Sequence, residues 1–387
     1  ALKNEEQLTA SQKYGMIPQN EFMALEGRRV TQVEFNSEIL KHVEKGDFVI
    51  SMRSFQGGLE YSEYTGSVSS AYVALKPITG IFSLFFKYLF KSQRYIEALQ
   101  STSNLVRDGQ ALRYDNFCMV DLFLPPIEEQ MKIANFLNQR IIDIDQAISI
   151  KEQQIALLNE RKQIIIQKAV TQGLDPNVSM KDSGVEWIGQ IPEHWEVIRS
   201  KFLFTQRKEN SKKDDVQLSA TQAYGVIPQE EYEKRTGKSV VKISLHLDKR
   251  KRVYLNDFVI SMRSFQGGLE RAWAEGCIRS SYVVLKPLKP IDPDYYGHLF
   301  KTPMYIKALQ NTSNFIRDGQ DLNFGNFSQV DLFIVPLSEQ KQIVEYIKSQ
   351  LGDFEKHLEL LNQQIEKLKE YKTTLINDAV TGKIKVA

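Results

Sequence analysis

The sequence predicts an α+β protein in which two tandem α/β domains are separated by two long helices that pair as an antiparallel coiled coil, with internal pseudo-twofold symmetry. Three observations predict it. A heptad seam lies near the C-terminus, the same seam occurs 210 residues earlier, and the chain ahead of each seam repeats at that shift almost without a gap.

In the later seam, Ile347, Leu351, Phe354, Leu358, Leu361, Ile365, Leu368, Leu375 and Ala379 recur at alternating steps of four and three, with Lys372 the one polar interruption. A 3.5-residue average keeps one apolar stripe facing a partner helix. Subtracting 210 gives Leu137, Ile141, Ile144, Ile148, Lys151, Ile155, Leu158, Ile165 and Ala169, with Lys162 where Lys372 falls. The mate is therefore in the same chain. A helix of roughly 40 residues extends about 60 Å, so the first carries the chain away from its domain and the second must return it for the seams to meet.

The repeat reaches single residues. Leu8–Gln19 returns as Leu218–Gln229, Asp47–Glu60 returns unchanged as Asp257–Glu270, and Ser103–Gln110 returns as Ser313–Gln320. Repeat arrays use units of about 20 to 50 residues, so a unit this large is a domain plus a helix. The expected divisions are 1–127, a first domain; 128–173, the first helix; 174–337, a linker and second domain; and 338–387, the second helix and tail. By the same shift Ala1 aligns with Ser211, so Gly184–Asn210 has no counterpart at the front of the first copy, and the opening segment is missing relative to the second copy: either the parent protein begins earlier than this sequence or the first copy lost its opening.

Within each copy, Phe48–Ser51 is an apolar run and Gln56-Gly57-Gly58 is turn chemistry. Tyr72–Leu75 and Tyr282–Leu285 are expected as buried strands, Tyr88–Ser101 and Tyr296–Asn311 as helices, and Val120–Leu124 and Val330–Val335 as a last strand. Pro126 and Pro336 stop that strand. Glu128-Glu129-Gln130 and Ser338-Glu339-Gln340 open the long helices with acids where the dipole favours them, and Gly173 and Gly382 end them. Between the copies, Leu174–Gly184 is a polar linker, after which Trp187 and Trp195 anchor the second domain.

Composition fits globular domains: 42% hydrophobic, 25% charged, with 16 Tyr, 21 Phe and three Trp. A net charge of +2 neither demands nor excludes nucleic acid. Cys118 and Cys277 stand at unequal points of the repeat with no metal-ligand spacing, which suits reduced thiols in a cytosolic protein. Ile81–Phe90, the longest apolar run, is too short to span a bilayer, and the opening Ala1–Glu6 resembles no signal peptide. The five histidines have no zinc spacing. Gly237-Lys238-Ser239 has Tyr232 where a phosphate loop needs glycine. No catalytic residue and no metal site is expected.

Candidate contact residues lie in the repeated loops. Arg53, Ser54, Phe55, Gln56, Gly57 and Gly58, with Arg263, Ser264, Phe265, Gln266, Gly267 and Gly268, combine guanidinium and amide groups suited to base edges with glycines that let backbone approach a phosphate. The same residues are equally compatible with a tight hairpin packing on its own domain. Arg107 and Arg317 stand in Arg-Asp-Gly-Gln turns, where an internal ion pair competes with a phosphate contact. Lys249, Arg250, Lys251 and Arg252 form a basic run suggestive of phosphate contact.

Ser183–Glu196 at a domain opening, the Pro126–Gln130 and Pro336–Gln340 junctions and the alternation of two domains with two helices resemble the specificity subunit of type I restriction-modification enzymes, over nearly the whole chain. That resemblance implies two target-recognition domains, each reading one half of a bipartite double-stranded DNA site, with the paired helices setting the spacer and docking two methyltransferase subunits. It also implies restriction and translocation subunits in the full complex, a cytoplasmic location and no membrane. The chain would be non-catalytic, with S-adenosylmethionine, ATP and Mg on partner subunits. A stand-alone coiled-coil DNA-binding regulator or scaffold is the alternative reading.

Overall fold

The computed structural model describes residues 5–30, 39–52, 54–102, 113–241, 249–312 and 322–386, with the main chain alone at Phe55. Two compact units emerge, Ala1–Gln153 with Leu360–Ala387, and Gln154–Glu359. Each holds one α/β domain and one end of each long helix.

The long helices run Ile127–Gln172 and Leu337–Val380, each beginning one residue ahead of the expected start. Inside the first unit their numbering runs in opposite directions. Lys151 Nζ donates to Gln364 Oε1 at 2.6 Å, Lys372 Nζ donates to the Asp145 oxygens at 2.7 and 2.8 Å, and Leu137 and Ala379 share one core. The helices are antiparallel there, and the polar interruptions of the seam are paired. All the seam positions named above are buried or half-buried, whereas the off-seam Leu157 and Leu360 are 64% and 51% exposed.

A buried glutamine ties each long helix to its domain. Gln130 Nε2 donates to the carbonyls of Gly80 (3.1 Å) and Pro125 (2.7 Å), and its Oε1 accepts from Phe82 N at 2.8 Å. Gln340 repeats the clamp, donating to Val335 O at 2.8 Å and accepting from Asp292 N at 2.7 Å. Buried backbone groups left without partners cost about 1–3 kcal/mol each, which gives the glutamine after each Pro-x-x-x step a physical reason.

In the second unit, strands Phe204–Arg207, Val283–Pro287, Phe258–Ile260 and Glu270–Arg271 form an antiparallel sheet in that order. Trp195 is fully buried, stacks on Phe333 at 5.2 Å and donates from Nε1 to Glu339 Oε2 at 3.1 Å. The aromatic opening is thereby fastened both to the domain core and to the start of the second long helix. Among the described residues the matching sheet of the first unit holds Glu60–Tyr61, Phe48–Ile50 and Val73–Leu75.

Three expectations are corrected. Tyr88–Ser101 and Tyr296–Asn311 each divide, into Ser83–Leu89 and Gln93–Ser101, and into Pro293–Leu299 and Pro303–Asn311. The cause is an N-cap: Ser92 and Thr302 are extended, with side chains accepting from Tyr95 N and Tyr305 N. Tyr72–Leu75 is not a buried strand, since Val73–Leu75 is only half-buried while Val283–Leu285 is buried. Val120–Leu124 is not a strand. Its counterpart Asp331–Ile334 is a strand, paired with Glu196–Arg199.

Candidate nucleic-acid interface

The local sequence builds one cleft in the second unit from three pieces. The hairpin Leu218–Thr221/Gly225–Pro228 turns through Gln222-Ala223-Tyr224, the helix Gln229–Thr236 follows Pro228, and the single helical turn Ser264–Gly267 interrupts the connection from Phe258–Ile260 to Glu270–Arg271. Together they line an opening of about 960 Å³.

Its rim is polar and aromatic. Arg263, Gln266, Gln222 and Arg279 are exposed, while Tyr224, Tyr232, Tyr282 and Phe265 are half-buried. Its floor is a carboxylate: Glu270 is 2% exposed, accepts from Lys301 Nζ at 2.6 Å through Oε1, and its Oε2 has no hydrogen-bond partner in the cleft wall. Burial raises the Glu270 pKa, against the attraction of Lys301. The cleft thus has a lysine-paired carboxylate at its floor, with one oxygen unpartnered, beneath a rim that carries Arg263 and Arg279. Guanidinium and amide groups on the rim have the donors and acceptors that discriminate base edges, and the rings offer stacking faces.

The first unit repeats these elements, with Leu8–Ser11 and Gly15–Pro18, the helix Gln19–Glu26, the turn Ser54–Gly57, and Glu60 bound by Lys91 Nζ at 2.8 Å. Burial raises the Glu60 pKa in the same way. The two linings differ at Thr9 for Ser219, Ser11 for Thr221, Lys13 for Ala223, Phe22 for Tyr232, Glu26 for Thr236 and Ser69 for Arg279. Tyr14 Oη donates to Glu26 Oε1 at 3.0 Å, so a carboxylate joins the first rim where an arginine is lost.

Of the sequence candidates, the structure brings Arg263, Phe265 and Gln266 to the cleft, and Gln56 to the matching turn of the first unit. Arg53, Arg107, Arg317 and the Phe55 side chain lie outside the described residues. Ser54 and Ser264 are withdrawn from the contact set, because both are fully buried and accept from Ser51 N and Ser261 N at 2.9 Å. The glycines stand where a side chain would collide with the protein's own atoms. A Cβ on Gly268 (φ 76°) would stand 2.0 Å from the Phe300 carbonyl oxygen, and on Gly58 1.9 Å from that of Phe90. At Gly267 and Gly57 the Gln222 and Gln12 amides fill the space.

The basic run is corrected too, since strand Lys251–Val253 turns successive side chains to opposite faces. Arg250 is 4% exposed and donates to Gln217 Oε1 at 3.3 Å. Lys251 donates to the Tyr282 carbonyl, and Arg252 is paired with Asp215 and, at 3.1 Å, Glu275. Lys249 alone of the four stays exposed.

Gln222, Tyr224, Tyr232, Arg279 and Tyr282 were not singled out by sequence. Gln222 and Tyr224 sit inside the repeated Leu218–Gln229 block, which was a signal for duplication and not for a site. Among the described residues no cluster of His, Cys, Asp and Glu is arranged for a metal, and no helix is long and apolar enough to cross a membrane.

No family model matches the chain. It is 25% identical over 374 residues to the MjaVIII specificity subunit of a type I restriction enzyme from Methanocaldococcus jannaschii, an alignment covering 91% of this chain and 81% of that protein. A chain from a solved type I restriction-modification system shares its fold at a TM-score of 0.62 and 13% identity, covering 88% of this chain and 83% of the other. An HsdS subunit from Thermoanaerobacter tengcongensis aligns at a TM-score of 0.48 and 14% identity, covering 89% and 83%.

Proposed function

We infer that this chain, which belongs to the specificity subunits of type I restriction-modification enzymes, is the DNA sequence-recognition subunit of its complex and is not itself catalytic. It assembles with DNA and with other subunits of such a system. In the finer reading, each domain reads one half of a bipartite double-stranded site, and the observation that carries this is the duplicated cleft framework. Arg263, Gln266, Gln222 and Arg279 of the second unit, with Gln56 and Gln12 of the first, are the proposed base-reading side chains.

The long helices set the spacer and dock two methyltransferase subunits. S-adenosylmethionine, ATP and Mg belong to partner subunits, with restriction and translocation subunits completing the complex in the cytoplasm. The test is co-expression with the cognate methyltransferase subunits and mapping of methylated sites. Specific methylation only in the presence of this chain supports the reading, and specific binding by the lone chain without any effect on methylation favours a regulator.

Within that assay, Arg263→Ala is expected to cost about 1–3 kcal/mol and to relax one base position in the second half-site only. Binding profiles over single-base variants read the effect. An unchanged profile removes Arg263 from the interface.

Lys249 and Arg252 separate phosphate contact from folding. Lys249→Ala is expected to reduce the slope of log affinity against log salt by about 1 with an unchanged melting temperature. Arg252→Ala strands Asp215, whose side chain is 5% exposed, and is expected to lower stability by about 3 kcal/mol. Equal melting of both variants contradicts the inward placement of Arg252.

A further inference from the structure

Two oxygens in the cleft of the second unit are left without donors. Glu270 is 2% exposed and its Oε1 accepts from Lys301 Nζ at 2.6 Å, while its Oε2 finds no hydrogen-bond partner among the described residues. Gln229 is 8% exposed, and its Oε1 is buried and equally unpartnered there. Both residues line the cleft. An ionised carboxylate accepts and cannot donate, and buried polar atoms of native proteins are nearly always paired. Two orphaned acceptors on one cleft call for a ligand that brings N–H donors.

The arrangement recurs in the repeat. Gln19, the equivalent of Gln229, is 9% exposed with the same oxygen unpartnered, and Glu60, the equivalent of Glu270, is 2% exposed and held by Lys91 Nζ at 2.8 Å.

The walls of the cleft define the donor further. Tyr224, Tyr232, Tyr282 and Phe265 are half-buried around the opening, which gives a flat ring faces on which to stack. A volume of about 960 Å³ is that of a small-molecule pocket and does not admit a double helix. A paired base keeps its edge within the groove, so acceptors on residues this deeply buried are reached by a base that has left the stack.

We propose, on the reading of this cleft as a DNA-recognition site, that it receives one base of the second half-site swung out of the duplex, an adenine or a cytosine whose exocyclic amine donates to Glu270 and Gln229. Guanine and thymine carry a carbonyl oxygen in place of that amine and would set it against two acceptors with no proton between them. Stacking on the rings and the two new hydrogen bonds offset the loss of pairing and stacking in the duplex. A base held here is not the one that a methyltransferase subunit modifies.

The complex with the cognate methyltransferase subunits, titrated with single-position variants of its mapped site, tests this. At one adenine or cytosine, a mismatch made by changing only the opposite strand is expected to tighten binding about 10-fold, because a weakened pair costs less to open. In that mismatched duplex, an analogue without the exocyclic amine (purine for adenine, pyrimidin-2-one for cytosine) is expected to weaken binding about 10-fold. Glu270→Ala is expected to bind analogue and parent base equally, which assigns the position to the second domain. Gln229→Met, of similar length and leaving Lys301 paired, is expected to narrow the same discrimination with an unchanged melting temperature, and decides the matter if Glu270→Ala does not fold. A mismatch that weakens binding or leaves it unchanged at every position shows that the bases are read in the groove and overturns the proposal. So does an undiminished analogue effect in the folded variants. A complex with no sequence preference at all removes instead the reading of the cleft as a DNA-recognition site, and this proposal with it.

Discussion

Inserting one heptad into both long helices, after Leu158 and after Leu368, is expected to lengthen the preferred gap between the two halves of the methylated site by about three base pairs. Seven residues preserve the apolar register and add about 10 Å at 1.5 Å each, and DNA rises about 3.4 Å per pair. Three pairs also turn one half-site by roughly a third of a helical turn of 10–10.5 pairs, so the coil must twist or the DNA distort. The expected result is therefore a longer preferred gap with weaker methylation. Methylome sequencing of cells carrying the variant reads both. A folded variant that methylates the original site at the original gap with undiminished efficiency shows that the helices do not set the spacer.

Gly268→Ala is expected to abolish stable folding of the second domain, with a cost above about 3 kcal/mol. Two causes add at that position. Its φ of 76° lies in the left-handed region that disfavours a side chain, and the new Cβ would stand 2.0 Å from the Phe300 carbonyl oxygen, which is backbone and cannot turn aside. The neighbouring Gly267→Ala meets instead the Gln222 amide, 2.5 Å from the new Cβ, and a flexible side-chain end can move. That variant is expected to fold, and to alter base preference through the displaced Gln222. Thermal melting beside a single-base binding profile separates them. A Gly268→Ala protein that melts like the parent contradicts the placement of this turn.

The long helices were legible because their information is periodic: one residue type recurring every 3.5 positions has few competing explanations, and Leu137 to Ala169 and Ile347 to Ala379 carry it twice. The duplication, the helix ends at Gly173 and Gly382, and the anchoring role of Trp187 and Trp195 followed from the same kind of pattern. The cleft was legible only in part. Arg263 and Gln266 were within reach, but Gln222, Arg279 and Tyr282 come from separate segments that converge only when the hairpin and strands pack.

What the sequence determined by itself was thus the plan of two domains and two antiparallel helices, because helix periodicity and repetition are properties of neighbouring residues. Tertiary structure decided which charges and strands that plan exposes. Arg250 and Arg252 stand in an unbroken basic run, yet pairing with Gly276–Ile278 in the sheet turns them toward Gln217 and Asp215. Val120-Asp-Leu-Phe and Val330-Asp-Leu-Phe are the same four residues, and only the second forms a strand. A strand needs hydrogen-bond partners from a distant segment, and Asp331–Ile334 finds them in Glu196–Arg199.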